Sequence, residues 1–142
     1  VISMLRSGAP YNLAVSGDIA NTGNVNYMRP NVSGSHKLDT PKVERWFNTS
    51  AFSVPAQYTF GNLGRNVLRS DGLVNFDLGL ARVFAVTERV RVEFRGEAFN
   101  AFNHPTFAAP TNNIASPNFG RVLALATGTA RRQLQLGLRV TF

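Results

Sequence analysis

The chain has 142 residues, enough for one domain and short for two, and 44% of them are apolar. No run approaches the roughly 18 consecutive apolar residues of a membrane-spanning helix, and 11 Phe argue against a disordered tail. Fifteen Lys and Arg against eight Asp and Glu leave a net charge of +7, and the lack of cysteine excludes disulfides, thiolate metal sites and a cysteine nucleophile.

Residues 1–7 form the first expected strand. It opens at Val1 in an apolar run without an initiator Met, and the chain reads as a piece of a longer protein. Residues 8–72 follow as a long loop dense in turn formers, as in Ser16-Gly17-Asp18, Asn21-Thr22-Gly23-Asn24 and Ser33-Gly34-Ser35. Trp46, Phe47, Phe52, Tyr58 and Phe60 interrupt this polar stretch. Trp46, Phe47 and Tyr58 are candidates for stacking on a sugar or aromatic ligand. The preferred reading is that these rings fold the loop onto itself or join an interfacial girdle. Gly61-Asn62-Leu63-Gly64-Arg65-Asn66 lacks the Gly-Lys-Ser/Thr ending of a phosphate loop and is expected to be a turn returning the chain to the sheet. His36 is expected as a loop residue rather than a ligand.

Period-two patterning dominates the rest. Over residues 73–85, Val74, Phe76, Leu78, Leu80, Arg82 and Phe84 alternate with Asn75, Asp77, Gly79, Ala81 and Val83. Over residues 89–101, Val90, Val92, Phe94, Gly96 and Ala98 alternate with Arg89, Arg91, Glu93, Arg95 and Glu97. Residues 102–130 are a second long loop, in which His104 before Pro105 fixes the exit from the strand. Over residues 131–142, Leu134, Leu136, Leu138, Val140 and Phe142 alternate with Gln133, Gln135, Gly137, Arg139 and Thr141. A helix would scatter these charges all round its cylinder. Even-numbered residues are apolar on both sides of Thr87-Glu88, so partners across that hairpin must share parity. This requires an odd-numbered loop, with Glu93 opposite Val83 or Ala81 and Arg95 opposite Ala81 or Gly79.

The basic balance invites an anionic partner. Yet Lys37 and Lys42 are the only lysines, and Arg89, Arg91 and Arg95 alternate with apolar residues on one strand face. No nucleic-acid partner is expected. Each alternating stretch reaches the roughly 9 to 11 residues of a membrane-spanning strand tilted by about 45°. A short turn at one end and long loops at the other is the asymmetry of an outer-membrane barrel. The expected fold class is all-β: antiparallel transmembrane barrel strands with long irregular extracellular loops. Phe142, closing an alternating strand, reads as a C-terminal signal for the barrel-assembly machinery. Two alternatives stay open, a soluble β-sandwich binding module and a small complete barrel. The latter needs about eight strands.

Trp46-Phe47-Asn48-Thr49-Ser50-Ala51-Phe52, the run from Phe60 to Arg69, Asn75-Phe76-Asp77-Leu78, the run from Phe94 to Pro105, and Phe119-Gly120-Arg121 stand in one order. Together they resemble the C-terminal end of TonB-dependent outer-membrane receptors, in the Oar-like subgroup that carries a carboxypeptidase-regulatory-like domain upstream. The likeness runs from Ser7-Gly8-Ala9-Pro10 to Phe142. It implies a barrel of about 22 strands, of which this chain supplies the last four or so. The plug domain and the TonB-contacting segment lie upstream.

In that fold Asp77, Glu93, Arg95, Glu97, Gln133, Gln135 and Arg139 face the lumen. Phe76, Leu78, Leu80, Val92, Phe94, Leu134, Leu136, Leu138 and Val140 face lipid. Arg95 and Glu97, with Asp77 and Glu93 nearby, could form an acid–base cluster. The preferred reading is a ladder of ion pairs, since no nucleophile accompanies them. The expected function is import of an unidentified solute across the bacterial outer membrane, with no catalysis, cofactor or metal. Expected partners are outer-membrane lipid, the upstream strands and plug domain of the same polypeptide, the barrel-assembly machinery, and TonB through the N-terminal part alone.

Overall fold

The computed structural model describes residues 1–23, 25, 28–129 and 131–142. Asn24, Asn26, Tyr27 and Ala130, which the sequence assigns to the two long loops, lie outside the described residues. The strands are β1 (Ile2–Arg6), β2 (Pro10–Tyr11), β3 (Asn31–Val32), β4 (Phe52–Ser53), β5 (Leu68–Arg69), β6 (Leu73–Ala85), β7 (Arg91–Phe99) and β8 (Gln133–Thr141). One 3-10 turn covers Thr49–Ala51. The chain divides into two compact units: Val1–Ser7, Gly72–Thr106 and Thr127–Phe142 form a sheet unit, and Gly8–Asp71 with Phe107–Ala126 form a loop unit.

The sheet unit is a four-stranded antiparallel sheet in the order β1-β6-β7-β8. Its register follows from the alternation. Across the β6–β7 hairpin, Val83 faces Glu93, Ala81 faces Arg95 and Leu80 faces Gly96, so parity is kept and the odd-numbered loop is present. Within that loop the Val86 N–H donates to the Val90 carbonyl at 2.9 Å, and the Thr87 hydroxyl accepts from the Val90 N–H at 3.0 Å. β8 continues the same rule: Val92 faces Val140, Phe94 faces Leu138 and Ala98 faces Leu134. A slip of one residue would put every leucine of β8 on the charged side.

β1 departs from this parity. Ile2 faces Asp77 and Met4 faces Asn75, so the even residues of β1 share the polar face of β6. The ends also differ from expectation. Arg89 and Val90 belong to the hairpin, and Asn100 and Ala101 have left β7, because Asn100 takes a left-handed φ of 47°. Asp77 Oδ1 accepts the Asn100 N–H at 2.9 Å, while Asn100 Oδ1 accepts the His104 N–H at 2.9 Å. The strand exit is thus set by Asp77 and Asn100, upstream of His104 and Pro105.

The loop unit is where expectation and structure part most. Residues 8–72 and 102–130 were expected as irregular loops, yet most of both belongs to a unit with its own dry core of Leu13, Phe47, Ala51, Phe52, Leu63 and Leu68. Phe47 meets Phe52 edge-on at 5.6 Å between ring centroids and Phe119 at 5.3 Å, an arrangement favoured by aromatic quadrupoles. Two short ladders tie the unit, Pro10 to Arg69 with Tyr11 to Leu68, and Asn31 to Ser53 with Val32 to Phe52.

Candidate functional site

Two regions carry the side chains singled out above. The first is the sheet's odd-numbered face, with Glu93, Arg95 and Glu97 on β7 and Gln133, Gln135 and Arg139 on β8. Arg95 sits between two carboxylates of its own strand, with Nη2 3.6 Å from Glu93 Oε1 and Nη1 3.8 Å from Glu97 Oε1. The pairing runs along β7 and not across the strands as a ladder would. Arg139 stands directly opposite Glu93, so opposite charges face each other at that register position, while Glu97 faces the neutral Gln135. Asp77 is not part of this group. Its Oδ1 accepts from the Asn100 backbone and from Asn75 Nδ2 at 3.0 Å.

The even-numbered face is the complement. Phe76, Leu78, Leu80, Phe84, Val92, Phe94, Leu134, Leu136, Leu138 and Val140 share it, and Leu136 is 78% exposed. So large an apolar surface needs a cover. Among the described residues of β6, β7 and β8, Arg82 is the one charge on it, and its guanidinium leans along the strand over the Phe84 ring, 5.0 Å from the centroid. Phe142 follows β8 and is exposed.

The second region lies in the loop unit. His36, Lys37, Leu38, Pro41, Trp46, Phe47, Val67, Leu68 and Arg69 enclose a recess of about 320 Å³. Asn48 builds its rim. Its N–H donates to the His36 carbonyl at 2.9 Å and its Nδ2 to the Ser35 carbonyl at 3.1 Å. Its Oδ1 accepts from Arg45 Nη2 at 2.6 Å and from the Ser50 hydroxyl at 2.8 Å. Trp46 is anchored by its N–H to the Gly120 carbonyl at 2.8 Å and by its indole N–H to the Arg69 carbonyl at 3.2 Å.

Of the three candidate aromatic ligand contacts, the structure separates the roles. Trp46 and Phe47 border the recess, but Phe47 is only 2% exposed and is first a core residue. Tyr58 is 69% exposed, lies outside the recess, and is held by its N–H to the Ile19 carbonyl at 2.7 Å. His36, Lys37 and Arg69 join the recess without having been expected there. No short motif links them; the β2–β5 pairing, the Asn48 clasp and the indole bond to the Arg69 carbonyl bring them to Trp46. Among the described residues, no three of His, Cys, Asp and Glu converge as a metal site.

The Gly61-Asn62-Leu63 turn also has a different task from the expected return to the sheet. The Asn62 N–H donates to Asn31 Oδ1 at 3.0 Å, and Asn62 Oδ1 accepts the Val32 N–H at 2.7 Å. Leu63 enters the core. The run therefore clamps the loop unit internally.

In comparison with known families, the profile described as outer membrane beta barrel domain matches the chain over residues 1–135. No curated protein and no solved structure matches the chain.

Proposed function

The chain belongs to the outer membrane β-barrel domain family, and from that premise we propose that it is a stretch of the wall of a TonB-dependent receptor that imports a small solute. The sheet supplies the observation that carries this reading: Leu78, Leu80, Phe84, Phe94, Leu134, Leu136, Leu138 and Val140 share one face and are exposed, and the opposite face holds Glu93, Arg95, Glu97 and Arg139. A lipid-facing and a lumen-facing side alternate in this way on every strand of a spanning barrel. The alternatives fit less well. A sandwich would lay a second sheet on Leu134, Leu136 and Leu138, all of which are exposed. A complete small barrel needs about eight strands, and the main sheet has four among the described residues. The outer edge of β8 and the Leu78–Ala85 stretch of β6 beyond β1 call for neighbouring strands, as a larger closed wall would provide.

On this reading the short hairpin of residues 86–90 is periplasmic, and residues 8–72 and 102–130 are extracellular. The chain has no cysteine, so single replacements give clean labels. In intact cells carrying the complete receptor, a membrane-impermeant maleimide should label Ser35→Cys and spare Glu88→Cys. Labelling of Glu88→Cys alone would invert the orientation. Import itself is tested by deleting TonB: uptake that persists would make the protein a passive pore.

A further inference from the structure

We propose that the recess beside Trp46 binds a small anionic ring compound, with the ring against the indole and the acid group held by Lys37 and Arg69. The proposal deepens the receptor reading, and rests on it in taking the captured solute as the imported one. A volume of about 320 Å³ lies at the low end of small-molecule sites. The lining has the composition such sites show, apolar walls with a few converging polar groups. Leu38, Pro41 and Val67 supply the walls, and every ionisable side chain in the lining is basic.

Those charges are not spent on carboxylates. Among the described residues the ion pairs are the two made by Arg95 in the sheet unit, so Lys37 and Arg69 line the recess without an acidic partner. Arg69 is also held in place. Its Nη1 donates to the Gly8 carbonyl at 3.1 Å, and its backbone is fixed by pairing with Pro10. A guanidinium carries five donors in a rigid fork, so one bond to Gly8 leaves others for a carboxylate. Trp46 has spent its indole N–H on the Arg69 carbonyl, so what it offers a ligand is ring surface. Ring surface beside two cations selects an anionic ring. A cationic ring of the same size meets Lys37 and Arg69 and is repelled.

The complete protein, purified in detergent, is titrated with benzoate, benzyl alcohol and benzylamine by isothermal calorimetry. Benzoate should bind saturably, benzyl alcohol at least about tenfold more weakly, and benzylamine should give no binding heat. Lys37→Gln and Arg69→Gln should each weaken benzoate by about tenfold or more, the usual worth of a hydrogen bond to a charged group. Arg29→Gln removes the same charge from an exposed position of the same unit outside the recess, and should leave binding as it was. Equal responses to all three compounds, or benzoate binding untouched by Lys37→Gln, would overturn the proposal. The readout needs no membrane or energy source. A receptor that fails to import would not alter it, and a recess that fails to bind would leave the barrel wall standing.

Discussion

Leu136 in the sheet unit is 78% exposed, whereas Phe47 in the loop unit is 2% exposed, although both are large apolar residues of one chain. The sheet unit carries a regular apolar pattern and no core of its own. The loop unit carries no regular pattern and has a dry core. Backbone bonding explains how both are possible. Between the sheet's neighbouring strands, ladders satisfy the backbone and the side chains are left to meet their surroundings. In the loop unit, side chains satisfy the backbone, as Asn48 does for Ser35 and His36, and Asn62 for Asn31 and Val32. The sheet is thus shaped for a solvent outside the protein, and the loop unit for itself.

The sharpest way to break this comparison is to cut the loop unit's core. Phe47→Ala removes a ring that touches Phe52 and Phe119, and should cost about 3 to 5 kcal/mol. Amide hydrogen exchange should accelerate at Leu13 and Leu63 while Glu93 and Arg95 in β7 keep their protection. Loss of protection in β7 as well would show that the two units do not stand apart energetically.

The complementary test is on the sheet. On the proposed wall reading, Leu136, six residues before Phe142, lies about 14 Å along the membrane normal at roughly 3.3 Å per residue and a 45° tilt, near the bilayer midplane. In the complete protein, Leu136→Arg should then cost about 2 to 4 kcal/mol in denaturant unfolding from vesicles. Gln135→Arg, its neighbour on the polar face, should cost far less. Equal costs would remove the assignment of faces. Arg82 shows how a charge is tolerated on the apolar side: its guanidinium leans toward Phe84 and the hairpin, as a snorkelling side chain does.

What could be read from the sequence follows the same division. Parity alone narrowed the partners of Glu93 and Arg95 to two each, because one residue of slip would bring Phe84 opposite Arg91, and the five-residue loop selects Val83 and Ala81. It said nothing about β1, where five residues are too few for an alternation to declare its face. The loop unit's core was hidden because Leu13, Phe47, Phe52, Leu63 and Leu68 follow no period, and they meet only through long-range pairing. Lys37 and Arg69 were missed for the same reason. Trp46 was visible as a candidate, since an aromatic ring in a polar stretch stands out without any partner.

Gly61→Ala tests a smaller effect inside the loop unit. A Cβ on Gly61 would overlap the carbonyl oxygens of Arg29 and Pro30, where the backbone passes too close for any side chain. The backbone must shift and strain the Asn62 bonds to Asn31 and Val32, at a cost of about 1 to 3 kcal/mol. Exchange should quicken at Val32 and Leu63. An unchanged Val32 amide would mean that the clamp does not hold that strand.

Acid should produce the smallest effect, and a local one. Asp18 accepts hydrogen bonds from the Thr22 and Gly23 N–H groups and from the Thr22 hydroxyl. These bonds, the Thr22 N–H foremost, hold its carboxyl below the usual carboxylate range. A depressed folded-state value means that the charged form stabilises the turn. The contribution is complete above the unfolded value of about 3.9 and is lost as pH falls through the lower, folded one. Below about pH 4, exchange at Thr22 and Gly23 should therefore rise above the intrinsic rate trend, and Asp18→Ala should abolish that dependence. The clasp made by the uncharged Asn48 side chain offers the internal control, because nothing in it titrates there. If the Asn48 amide loosens over the same interval as Thr22, acid is opening the whole loop unit and Asp18 is not the cause.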